Sequence, residues 1–133
     1  MSESFRILLK LSYGEAPYDI HLDACFIGED ILASVTGGTR SHIGAVALAE
    51  PAGGIHPVSG EPARDESGGS GPLISIMTSK GHKDAILAEM FARFLCEKYG
   101  VNVCVTAGVH VEGADEKEIA LMVENANSLL VMI

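Results

Sequence analysis

The sequence predicts an α+β fold: a largely antiparallel or mixed sheet of about six strands covered by two late helices, in the order β-β-β-β-β-α-β-α. Apolar residues recur with period two through the first fifty residues. They recur at helical spacing in two later stretches, each preceded by an apolar run of strand length. A Gly/Pro-rich segment at residues 50–71 separates these two regimes.

Phe5, Ile7, Leu9 and Leu11 alternate with Arg6 and Lys10, with Leu8 off the pattern, and read as the first strand. Gly14-Glu15-Ala16-Pro17 forms a hairpin turn. The second strand follows, in which Ile20, Leu22, Ala24 and Phe26 alternate with Asp19, His21, Asp23 and Cys25. Asp30–Thr36 and Ile43–Ala49 are the next two strands. The Gly37–His42 loop between them is short enough to make them antiparallel neighbours. Pro72–Thr78 is a fifth strand. Ile86, Leu87, Met90, Phe91, Phe94 and Leu95 then mark a helix, with Glu89, Arg93 and Glu97 opposite and Gly100 at its end. Val101–Ala107 is the sixth strand, and Pro72–Ala107 has the length of a parallel crossover unit. Asp115 with Glu118 three residues later is a capping-box start for the second helix. Ile119, Met122, Val123 and Ala126 are its buried stripe, and Leu129–Ile133 is an apolar tail.

The chain has 133 residues, 47% apolar and 20% charged, which fits one domain over residues 1–133 with a real core. Eighteen acidic residues against nine basic ones give a net charge of −9. No Lys/Arg cluster offers the phosphate contacts that nucleic acid or an anionic membrane surface would need. No apolar run is long enough to span a bilayer, and the N-terminus lacks the pattern of a signal peptide, so a cytoplasmic location is expected. Cys25, Cys96 and Cys104 are an odd number without CxxC spacing. Neither a disulfide framework nor a structural zinc site is expected, and Cys96 and Cys104 read as buried thiols.

Three segments place a histidine beside glycine at the end of an apolar run: Thr36–Gly44, Ser79–Asp84 and Ala107–Gly113. Ser79-Lys80-Gly81-His82-Lys83 joins a strand to a helix, where free N–H groups and the helix dipole favour an anion. Lys80, His82 and Lys83 add donors there, although the same string also reads as a glycine turn with solvated lysines. Arg40 and His42 offer a cation and a donor to a phosphate or carboxylate, or belong to a plain Gly-Gly hairpin. His110 and Glu112 could form a proton-transfer pair, or a solvated acid beside a packed histidine. His42, His82, His110 and Glu112 also make a chemically sensible metal set, but no tight spacing such as HExxH supports it, so no metal is expected. No G-x-S-x-G elbow is present and no cysteine lies near a histidine in sequence.

Ser41-His42-Ile43-Gly44-Ala45, Gly81-His82-Lys83-Asp84 and Gly108-Val109-His110-Val111-Glu112 together resemble the prenylated flavin chaperone family, the small accessory proteins of gallate-type decarboxylase systems. The resemblance runs from Ile20 to Leu130. That family is regarded as chaperones for prenylated flavin mononucleotide (FMN), which serves the large decarboxylase subunit. The order of strands and late helices is more distantly similar to small proteasome-assembly chaperones. The resemblance implies a non-catalytic accessory protein, a homodimer or higher homo-oligomer, that carries FMN or prenylated FMN for a decarboxylase. Helix-terminus physics then puts the flavin phosphate at Gly81–Lys83, with His42 and His110 lining the site. Tyr13, Tyr18 and Phe26 are the aromatic candidates for stacking on the ring. Two other functions stay open on the residues: an assembly module docking through Leu129–Ile133, and a small metal-dependent or acid/base enzyme using the histidines.

Overall fold

In a computed structural model, residues 5–52, 71–79 and 82–133 are described. They form β1 (Phe5–Tyr13), β2 (Ile20–Ile27), β3 (Asp30–Gly38), β4 (Arg40–Glu50), β5 (Leu73–Thr78), α1 (His82–Tyr99), β6 (Val103–His110) and α2 (Glu116–Val131). The expected class and element order are met. The sheet has six strands in the order β1-β2-β3-β6-β4-β5, with β3 and β6 parallel and all other neighbours antiparallel. Most of the predicted 50–71 segment lies outside the described residues.

Period two does its work in the middle strands. Ile20, Leu22 and Ala24, then Ile31, Ala33 and Val35, then Val103, Val105, Ala107 and Val109 all point to one buried face. Alanines supply the same face on β4, at Ala45, Ala47 and Ala49. Their small side chains let α1 lie close against β4, β5 and β6, while α2 packs over β1 and β2. Phe91, Leu87 and Leu95 of α1 and Met122 and Leu129 of α2 are fully buried between the layers.

Several expectations need correction. β3 and β4 are not hairpin neighbours, because β6 lies between them. The Gly37–His42 segment is strand on both sides, linked by Thr39 alone. Thr39 passes over the end of β6, where its N–H donates to the carbonyl of His110 at 2.8 Å. A short link fits a hairpin and a step over one strand equally well, so loop length could not tell them apart.

The four apolar residues of β1 do not share a face either. The register against β2 shifts between Ile7 and Leu9, making Leu8 the extra residue of a bulge. Leu8, Leu9 and Leu11 pack on the core, while Ile7 is 84% exposed.

In α1 the buried stripe is Leu87, Ala88, Phe91, Ala92, Leu95 and Cys96, and Ile86 stands exposed. In α2, Ile119 and Val123 are only half-buried, and Asn125 joins Met122 and Ala126 inside. The expected apolar tail Leu129–Ile133 begins as the end of this helix, which Met132 caps. Leu129 and Leu130 belong to the core, which removes them from any docking surface, whereas Val131 and Met132 stand exposed. Cys96 is buried, and desolvation first of all pushes its thiol up to about 11; Cys104 is only half-buried.

The capping box is present as expected: the Glu118 N–H donates to Asp115 Oδ1 at 2.8 Å, and Glu118 Oε1 accepts from the Asp115 N–H at 3.3 Å. Glu118 also accepts from the Tyr18 hydroxyl, and the Asn125 amide donates to the Tyr18 carbonyl at 2.9 Å. These bonds tie the β1–β2 turn to α2. Hydrogen bonding to Glu118 is also the main cause that raises the Tyr18 phenol above its ordinary value.

Phe91→Ala is expected to lower the unfolding free energy by about 3–5 kcal/mol. Asp115→Ala should lower it by about 1 kcal/mol through loss of the cap. Urea denaturation followed by circular dichroism measures both.

Candidate functional site

The site begins with a carboxylate that the fold buries. Asp84 lies in the first turn of α1, where the helix dipole favours negative charge, and is 5% exposed. A buried carboxylate is costly unless it is paired and hydrogen-bonded. Asp84 Oδ1 accepts the backbone N–H of Val109 at 3.0 Å, and Oδ2 lies 3.3 Å from Nε2 of His42. One side chain therefore fastens the start of α1 to both β6 and β4.

Two glycines make this approach possible. A Cβ at position 44 would collide with Asp84 Oδ2, and a Cβ at position 108 would collide with the carbonyl oxygen of His42. Between Ser41 and Ala45 the register of β4 against β6 shifts, and His42 sits in that irregular stretch. Its ring meets that of His110 edge to face, with centroids 6.1 Å apart. His42 Nδ1 is buried and has no hydrogen-bond partner. With Nε2 turned to Asp84, that nitrogen is a polar atom lacking what burial demands.

His110 closes β6, and its Nε2 lies 3.0 Å from Oε2 of the exposed Glu112. The hydrogen bond to His110, followed by the imidazole's charge, holds the Glu112 carboxyl below its ordinary 4.5; Arg40 adds a smaller push in the same direction.

These groups border one cleft of about 680 Å³, within the range of roughly 300–1,000 Å³ typical of small-molecule sites. Arg40, His42, Lys83 and His110 supply its cationic and polar wall, and Ile43, Ile86 and Ile119 its apolar wall. Four of the expected residues thus meet, with Glu112 reaching the group through His110. Lys80 and Gly81 lie outside the described residues, and so does the side chain of His82, the first residue of α1. Ser79 and Lys83, on either side of that string, both line the cleft. Among the described residues no group of three or more His, Cys, Asp or Glu side chains is arranged to hold a metal ion, and no helix is long and apolar enough to cross a membrane.

The aromatic candidates do not reach the cleft. Tyr18 is bonded to Glu118, Phe26 packs edge to face on Tyr99 under Arg6, and Tyr13 borders a separate hollow beside Gly14. The flat faces available here are aliphatic instead. Sequence reasoning missed Asp84, although it stands two residues after His82 in a string already singled out. It also missed Ile43 and Ile86, whose exposures of 67% and 49% are the usable signal: large apolar side chains left out of the core beside a cationic wall.

A family model described as the prenylated flavin chaperone LpdD-like domain matches residues 14–133. Among solved structures, the fold is similar to a chain of a chaperone complex for yeast 20S proteasome assembly. The TM-score is 0.57 at 12% identity, covering 97% of this chain and 91% of that one. At that identity the likeness establishes the fold alone, in line with the distant similarity expected from the element order. No curated protein sequence matches the chain.

Gly44→Ala is expected to cost about 1–3 kcal/mol by forcing Asp84 from its seat, read as a lowered melting temperature. Glu112, with its depressed carboxyl, favours the folded state above pH 4.5. That contribution is lost as the pH falls through the lowered value. An NMR titration should show Glu112 moving back up toward 4.5 in His110→Gln.

Proposed function

Because the chain belongs to the prenylated flavin chaperone LpdD-like family, we propose that it carries FMN or prenylated FMN as cargo for a flavin-dependent decarboxylase, without catalysing a reaction itself. The observation that carries this reading is the cleft at the start of α1. In a chain of net charge −9, two of nine Lys and Arg side chains, Arg40 and Lys83, meet there with two histidines beside an aliphatic wall. That division suits a molecule with an anionic phosphate at one end and an apolar ring system at the other.

The residues present fit such a cargo. Arg40, Lys83 and the first N–H groups of α1 hold the phosphate, with Lys80, Gly81 and His82 adjoining Lys83 in sequence. Ile43, Ile86 and Ile119 take the ring system in place of aromatic stacking. The orphaned Nδ1 of His42 gains a polar partner from the bound molecule, while Asp84 keeps its Nε2 side occupied. His110, steadied by Glu112, closes the other end of the polar wall. A grip built from hydrogen bonds, an exposed Arg40 and a half-buried Lys83 releases its load readily, which suits a carrier in the cytoplasm better than a resident cofactor site.

Flavin titration under anaerobic conditions, followed by absorbance and fluorescence, tests this. FMN or prenylated FMN should bind, and Arg40→Ala, Lys83→Ala and His42→Ala should each weaken binding about tenfold or more, since a hydrogen bond to a charged group contributes about 1.5–3 kcal/mol. Riboflavin, which lacks the phosphate, should bind weakly and be indifferent to Arg40 and Lys83. Failure of both phosphorylated flavins to bind at high micromolar concentration would sink the reading.

A further inference from the structure

Given a flavin carrier at this cleft, we propose that Ile43 and Ile86 are the residues that separate prenylated FMN from plain FMN. The two flavins share the phosphate, so Arg40 and Lys83 hold both alike. What differs is a branched five-carbon unit with no polar atom. Only apolar surface can read such a difference. In this cleft the accessible apolar surface is the isoleucine wall: Ile43 from β4, Ile86 from α1 and the half-buried Ile119 from the first turn of α2.

Ile43 stands two residues before Ala45, so unbroken alternation would turn it to the buried face with Ala45, Ala47 and Ala49. The register shift between Ser41 and Ala45 breaks that alternation, and Ile43 is left 67% exposed. Ile86 follows Asp84 by two residues and is 49% exposed. The contacts of Asp84 with Val109 and His42 fix the helix end that carries it. Two elements thus bring large apolar side chains out of the core to one place, beside a cationic wall. Exposed apolar surface rimmed by polar groups marks a binding site.

The kind of apolar surface matters as much as its presence. A planar isoalloxazine ring gains most from an aromatic face, and no Phe or Tyr lines the cleft among the described residues. Isoleucine is branched at Cβ and stiff at χ1. Its uneven surface packs well on branched aliphatic carbons and poorly on a flat ring. Burial favours binding about fourfold per CH₂ group, so half-burial of five carbons favours the prenylated flavin about thirtyfold. The shared phosphate supplies the grip, and the isoleucines supply the choice.

Anaerobic titration of the full chain with each flavin, followed by absorbance and fluorescence, measures that choice. The wild type should bind prenylated FMN at least about tenfold more tightly than FMN. In the Ile43→Ala/Ile86→Ala double variant, affinity for prenylated FMN should fall about tenfold, while that for FMN changes by about twofold or less. Arg40→Ala should weaken both flavins by the same factor and leave the preference intact. Both isoleucines are exposed, so the double variant should keep the circular dichroism spectrum and melting temperature of the wild type. Equal affinity of the wild type for the two flavins overturns the proposal, and so does a preference that survives the double variant. In either case the carrier function stands as long as both flavins depend on Arg40. Binding of neither flavin removes the carrier function and this proposal together.

Discussion

Everything in this molecule is arranged around β6, which enters the sheet between two strands that are consecutive in sequence. β3 and β4 must stand two strand spacings apart, yet only Thr39 joins them. The step is held by β6 itself, because the carbonyl of His110 accepts both the N–H and, at 3.2 Å, the hydroxyl of Thr39. β6 is also the most deeply buried strand, with Val103, Val105, Ala107 and Val109 all inaccessible. Core, topology and cleft therefore rest on the same eight residues. Without β6, neither β3 nor β4 has its inner neighbour, and α1 has no floor.

Asp84 converts that topology into a site. Its carboxylate takes the Val109 N–H on one oxygen and faces His42 with the other, so the start of α1 is registered against both strands at once. Gly44 and Gly108 are the clearances through which this happens. The consequence for the cleft is rigidity on one wall: the position of His42 is inherited from backbone that cannot shift without breaking the sheet. Ile43 and Ile86 line the same cleft as large apolar side chains left out of the core.

Most of the architecture was legible from periodicity. Alternation in Ile20–Phe26, the helical spacing from Leu87 to Leu95 and the Asp115–Glu118 cap are local signals, and each survives in the folded chain. What sequence could not convey was pairing. The link at Thr39 looks like a hairpin because chain length is blind to a strand that arrives from far along the sequence. The site was legible in the same partial way. His42, Arg40, Lys83 and His110 stood out by residue type, whereas Asp84 looked like an ordinary first-turn acid until its burial was known. Ile86 misled for the opposite reason, since an apolar residue at helical spacing reads as core whether it packs inward or borders a cleft.

The bulge at Leu8 has a consequence for how β1 can change over evolutionary time. Before the bulge the strand gives Ile7 to the open face; after it, Leu9 and Leu11 serve the core. A strand that changes sides midway carries two incompatible alternations spliced at a single residue. Substitutions along it alter one contact each. Deleting Leu8 would leave Ile7 opposite Cys25 and Leu9 opposite Ala24 in an unbroken ladder, each on the face it already has, whereas an insertion between Leu9 and Tyr13 would turn the residues on one side of it to the wrong face. β1 can thus lose its bulge without changing sides, but it cannot gain a residue within the segment that serves the core.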